Sequence, residues 1–555
     1  MNASASTAIR REYVTVGTRQ VHVRRAGAGD PVVLVHQSPT SARTLDLQTV
    51  AYAAAGFHAI AVDIPGLGRS DPLGLPQPEI ADLALGLAAF LDAIGVQRTA
   101  LYGSHTGALI CVQLAVAAPE RVSTILVDGY PVYTPGERDR RVATYFPPYE
   151  VSWDGAHLVW LWHRYREQYL FWPWNVPGES TRARCDVPDP VFLHEGVVDM
   201  LRVGNEYRRP YSAAFRCRSD ELLRQVGVPT YFLAYPDDSL TQALALLGPL
   251  PDACRIEAMP DDRNAGVARE IALLGRHRAG ACDPRFSAGT KPAGITRGYV
   301  DAHGIQLALR RCGPESGRPL VVIPPAPGSG AAMAAELQAL ARHRPVLAID
   351  VPGCGDSDPL PTMDVADMAG TLAAGLQALG LDTVDLYALH GGCNVAARLA
   401  STRAAKVRNL FLESPVAGYP GEDAFAASYA PPIEPDWAGT HLLTLWHAVR
   451  NRRLFRPWFD QRLASRTIDH AAIEPEAIHR DVLAALESWR TYHDAWRAVL
   501  SAPMPPGPFG SGDTRIGSRP CDEFHAAAHT LAGARLVQLP DAVLERVGRI
   551  LAALE

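Results

Sequence analysis

Short apolar runs alternate with longer amphipathic segments along most of this chain. The apolar runs span residues 31–35, 59–62, 99–102, 123–127 and 230–234, and then 320–323, 346–349, 384–388 and 409–412. The intervening segments 78–94 and 107–118 have the length and the apolar periodicity of helices. This alternation predicts an α/β fold, with a doubly wound parallel sheet and crossover helices in each half of the chain.

Two longer regions interrupt the alternation. Residues 132–219 are rich in aromatic side chains and have helical periodicity, and residues 417–500 form a similar region in the second half. We therefore expect a helical cap, inserted into each sheet domain after its fourth run.

The sequence also repeats itself. The segment AIAVDIPGLGRSD at 59–71 returns as VLAIDVPGCGDSD at 346–358, an offset of 287 between Asp63 and Asp350. The segment WDGAHLVWLWH returns as WAGTHLLTLWH, an offset of 284 between His157 and His441. A nearly constant offset indicates that a whole domain was duplicated. We predict a first domain at 1–278, a linker at 279–294 and a second, more degenerate domain at 295–555.

Composition excludes several classes of partner. The 555 residues are 47% hydrophobic and 20% charged, and the net charge of −6 is spread without a basic run, which argues against nucleic acid. The 9 cysteines form no C-x-x-C pair, so neither a disulfide framework nor a zinc site is expected. No apolar run reaches the roughly 18 residues of a membrane span, and residues 1–11 lack a signal-like apolar stretch. We expect a cytoplasmic protein without a membrane partner.

Candidate chemistry lies where strands end. The segment GSHTG at 103–107 follows an apolar run and precedes an apolar helix. Its small residues permit a tight strand-to-helix turn that lifts the central side chain, His105, above the sheet. His390, followed by Gly391, stands at the same place in the second half.

Together these segments resemble α/β-hydrolases of the HG-motif type with a helical cap. The resemblance is carried by HQSP at 36–39, by the D-x-P-G-x-G-x-S segment at 63–70, by the 103–107 turn and by Asp238 after the fifth run. It implies a hydrolase with an α/β-hydrolase-like sheet in each half. No cofactor is expected, because Gly66-Leu-Gly68 lacks the further glycine of a dinucleotide site and no Gly-x-x-x-x-Gly-Lys loop occurs. The family has serine where this chain has His105, and its late histidine is missing from this chain.

An imidazole at the turn suits proton transfer at neutral pH. We expect His105 to act as base or nucleophile, with the backbone N–H groups of Ser38 and Thr106 as an oxyanion hole and with Asp238 or Asp128 in support. Hydrolysis of a small acyl or aromatic carbonyl substrate is the first hypothesis. A C–C lyase or proton-transfer enzyme, and a non-catalytic ligand-binding pseudo-hydrolase, stay open as alternatives.

Further residues are candidates for binding a small-molecule substrate. They are Gln37, His157, His163, Arg166 and Tyr207, with Arg166 suited to a carboxylate. The cap histidines are six residues apart, so no metal site is predicted. His36 and Asp63 are expected to brace loops rather than to react.

The second domain departs further from the family pattern. Its loop at 323–328 lacks the histidine and glutamine of the first copy, and the region from Gly510 to Asp513, where the acid is expected, is rich in glycine. We therefore expect the first domain to be the active one. The two domains could also form an internal pseudo-dimer.

Overall fold

The computed structural model describes residues 7–238, 240–286, 294–402, 406–417, 423–467, 473–502, 504, 513–531 and 535–554. It divides the chain into two compact units. The first unit comprises residues 1–150 and 160–292, and the second comprises residues 151–159 and 293–555. Each unit contains an eight-stranded sheet with helices, so the prediction of two α/β domains in tandem is confirmed.

The first unit has a mixed sheet with the order β1-β2-β4-β3-β5-β6-β7-β8. Its strands are β1 (Arg10–Val16), β2 (Arg19–Ala26), β3 (Asp30–Val35), β4 (Phe57–Val62), β5 (Thr99–Ser104), β6 (Val122–Asp128), β7 (Thr230–Ala234) and β8 (Cys254–Ala258). The pairings β1–β2 and β2–β4 are antiparallel, and the others are parallel. The central strands are almost entirely buried, as expected where helices cover both faces of a sheet.

Helices in the first half fall into two sets. The helices that alternate with or follow the sheet strands along the chain are α1 (Asp46–Ala54), α2 (Ile80–Ile94), α3 (Thr106–Ala117) and α9 (Arg263–Gly275). The helices between β6 and β7 are α4 (Pro135–Thr144), α5 (Ala156–Glu167), α6 (Pro190–Val203), α7 (Arg208–Arg216) and α8 (Ser219–Leu223). This second set is the helical insertion that the sequence places at 132–219.

The second unit repeats the same topology, with the order β9-β10-β12-β11-β13-β14-β15-β16. Its strands are β9 (Thr296–Ala302), β10 (Ile305–Cys312), β11 (Leu320–Ile323), β12 (Val346–Ile349), β13 (Thr383–Leu389), β14 (Lys406–Glu413), β15 (Asp513–Ser518) and β16 (Arg535–Gln538). Its helices are α10 (Ala334–Leu340), α11 (Val365–Ala378), α12 (Gly391–Thr402), α13 (Asp423–Tyr429), α14 (Thr440–Asn451), α15 (Pro475–Glu487), α16 (Tyr492–Ser501), α17 (His525–Thr530) and α18 (Val543–Leu554).

The apolar runs do not reveal every strand. The N-terminal hairpins β1–β2 and β9–β10 carry charged residues in alternation with apolar ones, and the edge strand β8 is largely exposed, so none of them forms a continuous apolar run. Part of the predicted linker also contacts the first unit. Cys282 forms a β-bridge with Gly29, and the Arg285 N–H donates to the Ile94 carbonyl at 2.9 Å.

Candidate active site

The turn between β5 and α3 holds the backbone of His105 at a φ of 48°, a conformation that residues other than glycine rarely adopt. Two glycines make the turn possible. A Cβ on Gly107 would lie 2.1 Å from the Val35 carbonyl oxygen, and a Cβ on Gly103 would lie 2.6 Å from the Gly107 carbonyl oxygen. The His105 N–H donates to the Asp128 carbonyl at 2.8 Å, which fixes the strained residue to the next strand.

The imidazole of His105 reaches a carboxylate directly. Its Nε2 lies 3.5 Å from Oδ2 of Asp238, whose other oxygen accepts the Leu240 N–H at 2.8 Å. Gly129 allows this approach, because a Cβ there would lie 2.3 Å from His105 Cδ2 and 2.5 Å from Asp238 Oδ2. The structure therefore places Asp238 after β7 beside the turn, where the sequence suggested an acid.

Charge and burial act on this pair in opposite directions. Burial lowers the pKa of His105, but the carboxylates of Asp238 and Asp128 outweigh burial and raise it above its ordinary value. Burial raises the pKa of Asp238, but the imidazolium of His105 and the hydrogen bonds of the carboxylate bring it below its ordinary value. The protonated imidazole and the ionised carboxylate thus stabilise each other.

Asp128 occupies a different place from Asp238. Its Oδ2 accepts the Tyr102 hydroxyl at 2.6 Å, and its backbone carbonyl, as described above, accepts the His105 N–H. Removal from water raises the pKa of Asp128, and Asp238 raises it further. Asp128 therefore influences His105 through its charge, while Asp238 is the carboxylate within reach of the ring.

Two backbone segments meet at the turn. Thr106 is the first residue of α3, so its N–H has no acceptor one turn back within the helix. A Cβ on Gly107 would lie 2.8 Å from the His36 carbonyl oxygen, so the loop that carries Ser38 runs against the turn. The Ser38 side chain is buried, and its hydroxyl has no hydrogen-bond partner among the described residues.

The residues expected to brace loops are fully engaged. His36 is buried, its Nδ1 donates to the Gln37 carbonyl at 2.8 Å, and its Nε2 accepts the Ile64 N–H at 3.0 Å. Asp63 is also buried, and its carboxylate accepts from His22 Nδ1 at 2.8 Å. Both ring nitrogens of His36 are therefore used in holding the loop that contains Gln37.

The candidate cap residues make contacts of their own. His157 belongs to the second unit, where its Nε2 lies 3.2 Å from His479 Nδ1. The His163 side chain is 57% exposed, and Arg166 Nη1 donates to Glu167 at 2.8 Å. Tyr207 is fully buried within the cap of the first unit. Binding of a substrate carboxylate by Arg166 stays a prediction.

The second unit contains the same arrangement. His390, with φ of 44°, stands between β13 and α12, which begins at Gly391, and its N–H donates to the Glu413 carbonyl at 3.0 Å. Its Nε2 lies 2.9 Å from Oδ2 of Asp522. The Tyr387 hydroxyl donates to Glu413 at 2.6 Å, as Tyr102 does to Asp128.

The second acid was expected in the region from Gly510 to Asp513, of which only Asp513 is among the described residues. Asp513 begins β15, and the carboxylate beside His390 is Asp522, four residues after that strand. Asp238 likewise follows β7 by four residues. The offset of 284 that relates His157 to His441 also relates Asp238 to Asp522, so the repeat itself contained the missing signal.

A cavity of about 580 Å³ opens beside His390 in the second unit. Its lining includes His390, Asp522, Arg452, Tyr492, Trp496 and Phe524.

Within the described part of the chain, no three His, Cys, Asp or Glu side chains are placed to hold a metal ion. No helix in that part is long and apolar enough to cross a membrane.

Comparison with known proteins identifies the class. The model of the α/β hydrolase fold family matches residues 30–158 and 318–459, one region in each half of the chain. The chain is therefore a tandem α/β-hydrolase-fold protein, with one such domain in each half.

Individual relatives match over one region only. A 2-hydroxy-6-oxononadienedioate/2-hydroxy-6-oxononatrienedioate hydrolase of Paraburkholderia phymatum is 35% identical over 130 residues, which is 21% of this chain and 44% of that protein. An epoxide hydrolase 3 of Siraitia grosvenorii is 28% identical over 118 residues, 21% of this chain and 37% of that protein. The solved epoxide hydrolase A of Mycobacterium thermoresistibile is 19% identical, with a TM-score of 0.40, over 49% of this chain and all of that protein. The chain thus spans less than half the length of these two curated relatives.

Proposed function

We propose that this protein is a cofactor-independent hydrolase of a small acyl or aromatic carbonyl substrate, with His105 as the general base. The observation that carries the proposal is the position of His105 at the apex of the strained turn, with the Asp238 carboxylate 3.5 Å from its ring. A base in this position replaces both the nucleophile and the separate histidine of a serine hydrolase.

The geometry supports attack by water. Asp238 faces Nε2 of His105, which leaves Nδ1 to take a proton from a water molecule. The resulting hydroxide attacks the carbonyl carbon, and the N–H groups of Ser38 and Thr106 stabilise the oxyanion. When the tetrahedral intermediate collapses, the imidazolium returns the proton to the leaving group.

The relatives support the reaction class. Two proteins that match the chain at 35% and 28% identity are hydrolases by name, one of an oxo-dienedioate and one of an epoxide. The absence of a serine at position 105 favours a second candidate, in which the same base drives C–C cleavage or proton transfer next to a carbonyl, because neither reaction needs a covalent intermediate.

Turnover of ester, thioester and β-diketone panels by the full chain tests the proposal. We expect His105→Ala to lower kcat by about 100-fold or more, the usual contribution of a general base. His390→Ala is the matched variant at the second turn, and it should retain activity if the first unit is the active one. Equal rates for wild type and His105→Ala would contradict the proposal and favour a ligand-binding pseudo-hydrolase.

A further inference from the structure

Each cap holds an arginine against two aromatic rings. In the first half the guanidinium of Arg164, only 1% exposed, lies 5.0 Å from the ring centre of Tyr145 and 4.5 Å from that of Trp174. In the second unit the guanidinium of Arg452 lies 4.7 Å from Tyr429 and 4.9 Å from Trp496. Such contacts partly compensate a cation that is removed from water.

The two arginines share one aromatic neighbour by position in the repeat. Tyr145 and Tyr429 are related by the offset of 284, and so are Trp174 and Trp458. The indole N–H of Trp174 donates to the Tyr145 carbonyl at 3.2 Å, and that of Trp458 donates to the Tyr429 carbonyl at 2.6 Å. The tyrosine beside each guanidinium is therefore the same in the repeat, whereas the second ring is Trp174 in the first half and Trp496 in the second.

The arginines nevertheless come from different positions in the repeat. By the same offset, Arg164 corresponds to Ala448, and Arg452 corresponds to Gln168. Residues four apart lie on the same face of a helix, so a guanidinium can occupy the same place from either position. The repeat has thus kept the cation in the cap while the residue that supplies it has moved by one helical turn. Packing alone does not require this, because an apolar side chain fills such a space at lower cost.

The ion pairs of this region involve other arginines. Arg166 pairs with Glu167 and Arg453 pairs with Asp481, whereas Arg164 and Arg452 donate to the neutral side chains of Gln168 and Tyr492. Among the described residues, Nε and Nη2 of Arg164 have no hydrogen-bond partner although they are buried, and the same is true of Nε of Arg452. Arg452 Nη2 donates to the Tyr492 hydroxyl at 2.8 Å, a neutral group. A buried cation with free donors is costly unless an anion joins it.

In the second unit this cation lines the cavity next to His390. Two acids of the same cavity have other basic partners. Asp481 pairs with Arg453 at 2.9 Å, and Asp522 pairs with His390 at 2.9 Å. Glu523 also lines the cavity, where burial raises its pKa and the nearby charge of Arg452 acts in the opposite direction.

We propose that the cavity of the second unit binds a small carboxylate through Arg452, with the rest of the ligand directed toward His390. The planar guanidinium can donate in parallel to both oxygens of a carboxylate, and the rings of Trp496 and Phe524 provide an apolar wall. The inference depends on the proposed function only in treating the cavity beside the turn as a ligand site. It is therefore tested by binding and not by turnover.

Calorimetric titration of the full chain with acetate, benzoate and phenylacetate, each beside its neutral amide, measures this preference. We expect at least one carboxylate to bind at least tenfold more tightly than its amide, and Arg452→Gln to remove that difference. Arg462→Gln, at an 82% exposed side chain, serves as the charge-matched control and should change nothing. Equal binding of acids and amides across the panel, or no binding of either, would overturn the proposal and leave the turnover test of the first unit untouched.

A rescue variant separates recognition from stability. Ala448→Arg combined with Arg452→Gln reproduces the arrangement of the first half, where Arg164 Nη1 donates to Gln168 at 3.3 Å. We expect this double variant to restore most of the carboxylate preference that Arg452→Gln removes. Failure to restore it in a protein that unfolds at the wild-type temperature would contradict the role of the cation. Should Arg452→Gln not fold, the comparison of acids and amides on the wild type still decides.

Discussion

His105 is influenced by two carboxylates that act by different routes. Asp238 faces the ring at 3.5 Å, while Asp128 is held by the Tyr102 hydroxyl and acts through its charge. Both raise the pKa of His105, against the effect of burial. A base with a raised pKa is more often protonated at neutral pH, but its deprotonated form is the stronger proton acceptor.

We expect kcat/KM to rise with pH through an apparent pKa above the ordinary 6.5 of histidine, because the reaction needs the neutral imidazole. Asp238→Asn should move this rise to lower pH, because the carboxylate that favours the imidazolium is gone. The same variant should lower the plateau rate by about tenfold or more, since the ring loses its orienting acid. The pH profile of kcat/KM measures both effects.

Asp237→Asn is the control for this profile. Asp237 precedes Asp238 but is 51% exposed and faces Arg263 at 3.1 Å. Its substitution removes the same charge from the same loop, and the profile should keep its midpoint within the error of measurement. An equal shift for both variants would show that general loop charge, and not the His105–Asp238 pair, sets the pKa.

The turns and loops that carry these residues depend on a few glycines. Gly129 follows β6 with φ of 69°, and a side chain there would meet both members of the pair. The sheet alone therefore does not bring His105 and Asp238 together, and the space beside Gly129 is part of the site.

Gly129→Ala should separate the two side chains and abolish most of the activity. The positive φ adds a backbone cost of about 1 kcal/mol. Gly74→Ala separates these effects, because Gly74 has φ of 75° and a Cβ there meets nothing within 4 Å. We expect similar losses of backbone stability in both variants by thermal unfolding, but loss of turnover only in Gly129→Ala. Full turnover in a folded Gly129→Ala would contradict the assigned pairing.

Sequence alone predicts the elements that are buried on both faces and the turns that join them. The parallel strands β3, β4, β5 and β6 form continuous apolar runs, and GSHTG identifies the turn at His105. The acid of the second unit was missed because Asp522 stands on a loop, where no hydrophobic periodicity fixes its register. The burial of the cap arginine Arg164 gives no signal in the sequence, because a charged side chain is normally exposed, and Arg166, which the sequence favours for a carboxylate, is the more exposed of the two.

At the scale of the whole molecule, the chain contains two versions of one site. The His390–Asp522 pair is shorter than the His105–Asp238 pair, 2.9 Å against 3.5 Å, although the second half departs further from the family sequence pattern. In both pairs the pKa of the histidine is raised and that of the aspartate is lowered. Loss of motif residues therefore does not mean loss of the acid–base geometry.

These shifts predict how the pairs contribute to stability. A raised histidine pKa stabilises the fold below the unfolded value of about 6.5 and loses that effect as pH rises through the folded pKa. A lowered aspartate pKa stabilises it above the unfolded value of about 3.9 and loses that effect as pH falls. We expect Asp238→Asn combined with Asp522→Asn to lower the free energy of unfolding by about 1 kcal/mol per pair at a pH between the two unfolded pKa values, and by less at high pH. Urea unfolding of wild type and double variant at pH 5.5 and pH 9 measures this loss. A loss that does not vary with pH would contradict the stabilising role of the two pairs.

A histidine at the apex of the turn also changes what the rest of the first unit must do. Under the proposed mechanism His105 reaches Asp238 itself, so the segment from Met259 to Asp262, between β8 and α9, does not have to deliver a catalytic side chain. Mutations accumulating in that segment would escape selection on the chemical step. Among natural variants of this protein, its length and composition should drift freely, while positions 103–107, 129 and 238 stay fixed.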